Sequence, residues 1–249
     1  MALEAIMTRT GAETTVASST AHPLPLPDHH AHVWLAETQL PYPPDLVARY
    51  QRLLDPEERQ RQNRFRFERD RHSFLIGHAL VRAALSAYTD VHPADWRFER
   101  NQFGRPEPVI RGARPLRFNL SGTTGLVACV ITRRTDAGID VEDTTRIDDL
   151  MPIARHAFAP GEVAELDALP GHAQRRRFFE LWTMKEAWLK AMGTGLSAGL
   201  DRLPDRHQWQ VHLSRPCALT SHLLAVALRR GSRADFSIVE RWGIPLAPD

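Results

Sequence analysis

Residues 178–197, FFELWTMKEAWLKAMGTGLS, carry the pattern on which the reading of the fold turns. Drawn as a helix at about 100° per residue, they put Met184 and Trp188 on one side and Trp182 and Leu189 on the other, so the cylinder is apolar nearly all round. Lys185, Glu186 and Lys190 fall within an arc of about 140° that also holds Trp182 and Leu189. A helix of this kind is at least partly buried, and an unpaired buried charge costs too much to persist. The three charges need partners from elsewhere in the chain. Two arrangements answer that need. In one, Glu186 joins other carboxylates around a metal while the lysines hold a phosphorylated ligand as point charges. In the other, the lysines reach solvent and Glu186 pairs with Lys190 at i to i+4, worth only about 0.2–0.5 kcal/mol.

The same stretch belongs to a repeat. RRFFELWTMKEAWLKAM from Arg176 resembles HSFLIGHALVRAALSAY from His72, and FAPGE (158–162) resembles LDPEE (54–58), both offset by 104 residues. LLAVAL from Leu223 matches LVACVI from Leu126, now 97 apart. Three matches in one order predict a duplicated helix-then-sheet unit, with a cleft between the halves as a natural ligand site. Around them, Asp55 reads as an N-cap before Pro56, a further helix runs from about Arg69 to Tyr88, and VWLAET, WRFER, LRFNLS, LVACVIT and GIDVED read as strands.

Composition sets the outer limits. The 249 residues are 43% hydrophobic and 25% charged, as in a globular chain able to bury a real core. Lys and Arg (32) nearly balance Asp and Glu (30), too small an excess for a dedicated nucleic-acid binder. AQRRRFF reads as surface charge that could also meet an acidic partner. The arginines between Arg59 and Arg71 read as a mostly solvated helix face. Cys129 and Cys217 show no metal or CxxC spacing and fit a reducing cytoplasm. No run approaches the roughly 20 apolar residues of a membrane span. The segment 1–24, rich in Ala, Thr and Ser, is expected to be a disordered leader, and His29, His30 and His32 a polar loop.

In GIDVED the strand period of two turns Asp140 and Glu142 to one face and Ile139 and Val141 to the core. Two carboxylates about 7 Å apart on one face repel unless a cation lies beside them, and a Mg²⁺ ion, which takes one or two protein carboxylates plus substrate phosphates, answers that need. A polar strand end facing water is the alternative.

GIDVE followed some forty residues later by WTMKEAWLKAMGTGL resembles the paired signature of the 4'-phosphopantetheinyl transferase family. GRPEP and FNLS resemble that family's Gly-Lys/Arg-Pro turn and Phe-Asn-Leu/Ile-Ser-His strand, while LDPEERQRQNRF and RHSFLIGHALVR resemble the early helices of its longer, Sfp-like branch. Together the likeness spans roughly residues 50 to 200. It implies an α+β fold of two similar lobes related by a pseudo-twofold axis, each with helices packed on a small antiparallel sheet. On this reading residues 25–135 form the N-terminal lobe and 136–249 the C-terminal lobe carrying the metal-site acids.

The resemblance also implies roles. Asp140, Glu142 and Glu186 would bind Mg²⁺ with the pyrophosphate of coenzyme A, Lys190 would contact that pyrophosphate, and Lys185 would help hold the phosphorylated end of the cofactor. Gly104, Arg105 and Pro106 would lie along the adenine, with Ser121 and Arg61 near the 3'-phosphate. The implied activity is that of a holo-[acyl-carrier-protein] synthase type transferase, a cytoplasmic monomer that moves 4'-phosphopantetheine onto a serine of apo acyl or peptidyl carrier proteins, with neither nucleic acid nor membrane as partner. Either Glu186 or a water held by the metal could take the serine proton. Gly122 stands where the family has His, so the 3'-phosphate loses a contact unless Arg61, Arg64 or His72 replaces it. The residue pattern alone also suits a Mg²⁺-dependent phosphodiesterase or pyrophosphatase, or a binding module for an acidic partner.

Overall fold

The computed structural model describes residues 7–10, 13–16, 23–109, 115–193, 200–201, 205, 207–216, 221–231 and 235–244. Within the expected leader, β1 (Met7–Thr10) and β2 (Glu13–Val16) pair as an antiparallel hairpin. There follow β3 (His30–Glu37), helices α1 (Pro44–Leu53), α2 (Pro56–Asn63) and α3 (Glu68–Ser86), then β4 (Phe98–Arg100), β5 (Pro106–Pro108), β6 (Leu116–Thr123), β7 (Leu126–Arg133) and β8 (Ala137–Asp143). The second half runs α4 (Met151–Ala157), α5 (Pro160–Asp167), α6 (Gly171–Met192), β9 (Trp209–Ser214), β10 (His222–Arg229) and β11 (Ser237–Trp242). Cys217 lies outside the described residues, and Cys129 is buried and free.

The chain is α+β, with two main sheets ordered β11-β3-β7-β6 and β8-β10-β9 beside the two-stranded pairs β1-β2 and β4-β5. The repeated strands β7 and β10 are interior strands of their respective sheets, flanked by antiparallel neighbours. One pairing departs from the antiparallel rule: β11, from the far end of the chain, lies parallel to β3 and joins the N-terminal sheet. It also corrects the reading of the histidines. His30 and His32 are not loop residues but open β3, because β11 and β7 extend the ladder on both sides. Buried His32 meets the Tyr88 hydroxyl at 2.7 Å through Nδ1, and burial holds its imidazole down to about 4.

Strand alternation builds four layers. On β7, Val127, Cys129 and Ile131 face α3, while Leu126, Ala128 and Val130 face the other sheet. On β10, Leu224, Val226 and Leu228 meet them, and Leu223, Ala225 and Ala227 turn outward to the C-terminal helices. Ile139 and Val141 of β8 join the same central core, so Asp140 and Glu142 must face α6.

The duplication extends to ion pairs. In α2, Asp55 accepts from the Glu58 amide at 2.8 Å and Glu58 accepts from the Asp55 amide at 2.9 Å, a reciprocal cap. In α5, Glu162 likewise accepts from the Ala159 amide at 2.9 Å, although Ala159 has no side-chain oxygen to return. Each glutamate then holds a buried cation of the long helix that follows: Glu58 takes Arg82 at 2.7 Å and Glu162 takes Lys185 at 2.5 Å.

Candidate active site

Strands β6 and β8 are the facing edges of the two sheets, and side chains join them. Asn119, Ser121 and Thr123 share one face of β6. The Asn119 Oδ1 accepts from the Ile139 amide at 2.9 Å, the Ser121 Oγ from Val141 at 3.4 Å, and the Thr123 Oγ1 from Asp143 at 3.4 Å. Side-chain oxygens thus stand in for the carbonyls a neighbouring strand would offer, and the amides on either side of Asp140 are satisfied.

Helix α6 lies against the other face of β8, and Gly138 sets the approach. A Cβ there would run into the carbonyl oxygen of Ala187 and the amide nitrogen of Ala191, so only glycine lets the two backbones come so near. That contact brings the residues following Ala187 on α6 to the residues following Gly138 on β8. Lys190 Nζ donates to Asp140 Oδ1 at 2.6 Å and to Ser121 Oγ at 2.9 Å, and Ser121 Oγ donates to the same Oδ1 at 2.9 Å. Asp140 is 4% exposed, yet its Oδ2 is buried with no partner among the described residues. Trp182, on α6 and stacked on Phe178, donates its indole N–H to Glu142 Oε1 at 3.1 Å.

Burial, with the Asp140 charge second, pushes the Glu142 carboxyl up to about 7. Glu186 is raised by the same two causes, and Lys190 opposes them. Glu186 makes no ion pair with Lys190 among the described residues; the lysine has gone to Asp140 instead. Three carboxyls from β8 and α6 therefore share one field, short of positive charge. Among the described residues no three acidic, His or Cys side chains form a finished metal cage. The donors present still fit a hard cation: all are carboxylate oxygens, one of them without a partner among the described residues, in a site where burial and then the Asp140 charge raise two carboxyls.

Ser121 also opens onto a cleft of about 380 Å³ between α3 and the β6–β7 hairpin, lined by Arg69, Ser73, His78, Gly122 and Arg146 among others. Burial and then Arg82 hold His78 down to about 3, so it is neutral there. Arg61 is not among the residues lining the cleft; its guanidinium lies 5.9 Å from the centroid of Phe74, which does line it. His72 packs on Tyr42 instead.

Other expected ligand residues are held elsewhere. Lys185 is 0% exposed, donating to Glu162 and to the Leu200 carbonyl at 2.6 Å beneath the Phe158 ring. It is not brought to the Asp140 cluster. Gly104 supplies a left-handed turn at φ 83° and Pro106 pairs in β5. Between them Arg105 is bonded to backbone carbonyls of β6, β8 and α6. The arginines of AQRRRFF are also engaged: Arg175 donates to the Thr144 carbonyl at 2.8 Å and Arg177 pairs with Glu165 at 2.7 Å. Asn119, Gly138 and Trp182 are site residues that sequence reasoning missed. A glycine opening a strand signals close backbone approach, and a polar residue at every second position of FNLSGT signals a second surface; nothing local marks Trp182.

Residues 136–232 match the 4'-phosphopantetheinyl transferase superfamily, and residues 41–133 match the family described as 4'-phosphopantetheinyl transferase, N-terminal. A putative 4'-phosphopantetheinyl transferase (slr0495) of Synechocystis sp. is 34% identical over 178 residues, covering 70% of each chain. The 4'-phosphopantetheinyl transferase HetI of Nostoc sp. is 33% identical over 70% of this chain and 73% of its own. Sfp of Bacillus subtilis is 34% identical over 68% of this chain and 74% of its own. With both halves matched and the acid, lysine and tryptophan cluster assembled within the second, the chain belongs to the 4'-phosphopantetheinyl transferase family. Within it, the likeness to Sfp places it in the two-lobed, Sfp-like branch.

Proposed function

We propose that the protein transfers 4'-phosphopantetheine from coenzyme A to a serine of acyl or peptidyl carrier proteins in a Mg²⁺-dependent reaction. The observation that carries this reading is Asp140, one oxygen shared by Lys190 and Ser121 and the other buried without a partner among the described residues, beside two carboxyls short of positive charge. Asp140, Glu142 and Glu186 would hold the ion, which when bound would withdraw charge from the diphosphate.

The chain's own groups do the rest. Lys190 lies where a diphosphate beside Asp140 would meet an ammonium, and it supplies positive charge as the phosphoryl oxygens gain negative charge. Ser121 keeps Lys190 aimed by sharing its proton donors. The cleft that Ser121 opens would take the nucleotide end, with Arg69 and Arg146 as its cations. The carrier serine oxygen forms a bond to the phosphorus that bears the pantetheine arm, the P–O bond to 3',5'-ADP breaks, and the serine proton leaves to a base. Glu186, raised by burial and without a partner among the described residues, suits that role.

The test is incubation with coenzyme A, Mg²⁺ and a panel of apo-carrier proteins, read by intact mass. Gain of one phosphopantetheine arm on a carrier is the expected result. Cleaved coenzyme A beside unmodified carriers would instead mark a hydrolase, and carrier binding with no turnover a binding module. No described helix is long and apolar enough to cross a membrane.

A further inference from the structure

The resemblance lays Arg105 along the adenine of the cofactor, yet its guanidinium is already engaged. Nη1 donates to the carbonyls of Lys190 and Ala191 at 3.3 and 3.2 Å, and Nη2 to those of Phe118 and Ala137 at 3.4 and 3.3 Å. These four oxygens belong to α6, β6 and β8, the three elements that supply Lys190 and Glu186, Ser121, and Asp140 and Glu142. Ala137 immediately precedes Gly138, where α6 touches β8 most closely. The same end of the side chain, Cδ and Nη1, lies 3.4 Å from where a Cβ on Gly193 would stand, directly after α6. The loop below is preset as well, since Asn101 Oδ1 accepts from the Arg105 amide at 3.0 Å and the Asn101 amide donates to the Arg105 carbonyl at 2.9 Å.

A helix ends with carbonyls that lack intrahelical partners and with partial negative charge, both of which the half-buried Arg105 guanidinium meets through Nη1 and Nη2, while its Nε has no partner among the described residues. Each bond alone is long. Acting together they fix the last turn of α6 in rotation and height, and that turn carries Lys190.

We infer that Arg105 is a positioning residue for the transfer reaction: it clamps the end of α6 to β6 and β8, and so sets the Lys190 ammonium on Asp140 and Ser121. It acts through Lys190 and not on the ligand. The inference rests on the proposed transferase activity, and it goes further by separating a clamp from a nucleotide contact at the same residue.

The test uses the full chain with Arg105→Ala and Arg105→Lys. The clamp predicts faster amide exchange in the last turn of α6 and a fall in kcat on the order of 10- to 100-fold, as for misplaced catalytic groups, with KM for coenzyme A unchanged. Arg105→Lys, able to reach some of the carbonyls with one ammonium, should recover part of kcat. A rise in KM for coenzyme A with kcat and exchange unaltered would overturn the inference and make Arg105 a ligand contact. Should Arg105→Ala fail to fold, Arg105→Lys decides alone: reduced kcat at constant KM supports the clamp, and wild-type kinetics with wild-type exchange overturns it. A wild-type chain that modifies no carrier overturns the transferase reading and the positioning role with it, while exchange still decides whether the clamp exists.

Discussion

Lys185 and Glu162 form a buried ion pair in which the ammonium meets a carboxylate that also caps its own helix. Removing one member strands the other. Glu162→Ala leaves a fully buried lysine without its counter-charge and should cost about 3–5 kcal/mol in urea unfolding. Lys185→Met should cost less, because Glu162 keeps the Ala159 amide. If KM for coenzyme A also rises in Lys185→Met, the lysine holds the cofactor; an unchanged KM makes it a structural residue.

Gly138→Ala should be among the most damaging single changes in the chain. The added methyl meets backbone and not a pliable side chain, so α6 must move off β8. Destabilisation at or above the top of the usual 1–3 kcal/mol range for overpacking, roughly, is expected in thermal unfolding. Any folded protein should lose transfer activity.

Lys190→Ala leaves the buried Asp140 without its ammonium and should lower stability, so its turnover is read at a temperature where the variant is folded. It should lower kcat on the order of 10²- to 10³-fold, as when a donor to a developing anion is removed. Near-normal turnover would place the electrophilic charge elsewhere.

Glu142 gives the site a pH signature. Its carboxyl is raised from 4.5 to about 7 in the folded chain, so the folded state holds a proton that the unfolded state has released. The metal-free protein should therefore lose stability as pH rises from about 4.5 to 7, and a divalent ion, which needs the ionised carboxylate, should offset that loss. Thermal scans should show Mg²⁺ raising Tm more at pH 8 than at pH 5.5, approximately the two sides of that titration, and Glu142→Gln should flatten the difference. An equal Mg²⁺ effect at both pH values would count against Glu142 as a ligand.

Gly122 stands where the family resemblance would place an imidazole in the cleft. We expect weak discrimination between coenzyme A and its 3'-dephospho form. Gly122→His should strengthen the preference for coenzyme A by about 1.5–3 kcal/mol of binding, provided that Val127, 3.1 Å from the new Cβ, can shift by a few tenths of an ångström. The two Michaelis constants in each protein decide it.

Much of this arrangement could be read from residues. The period of two in GIDVED turned Asp140 and Glu142 away from the core, and the apolar wrap of 178–192 showed that its charges needed distant partners; Lys190 found Asp140 and Lys185 found Glu162. The 104-residue offset carried the duplicated caps. Less legible were contacts whose partners lie far off in sequence. Asn119 mimics a strand for Ile139, Trp182 reaches Glu142 across 40 residues, and Arg105 spans 85 to reach Lys190. Histidines 30 and 32 were misread for the same reason, since β11, some 200 residues later, supplies one flank of their ladder.

That late strand also bears on synthesis. While the ribosome works through the second half, β3 waits with one flank bare, a row of free amides and carbonyls flanked by Val33 and Leu35. Nascent chains released before Ser237 emerges would carry that open border into a crowded cell, where self-association is the natural outcome. Pairing of β11 seals it, so truncation before Ser237 should show as aggregation before it shows as lost catalysis.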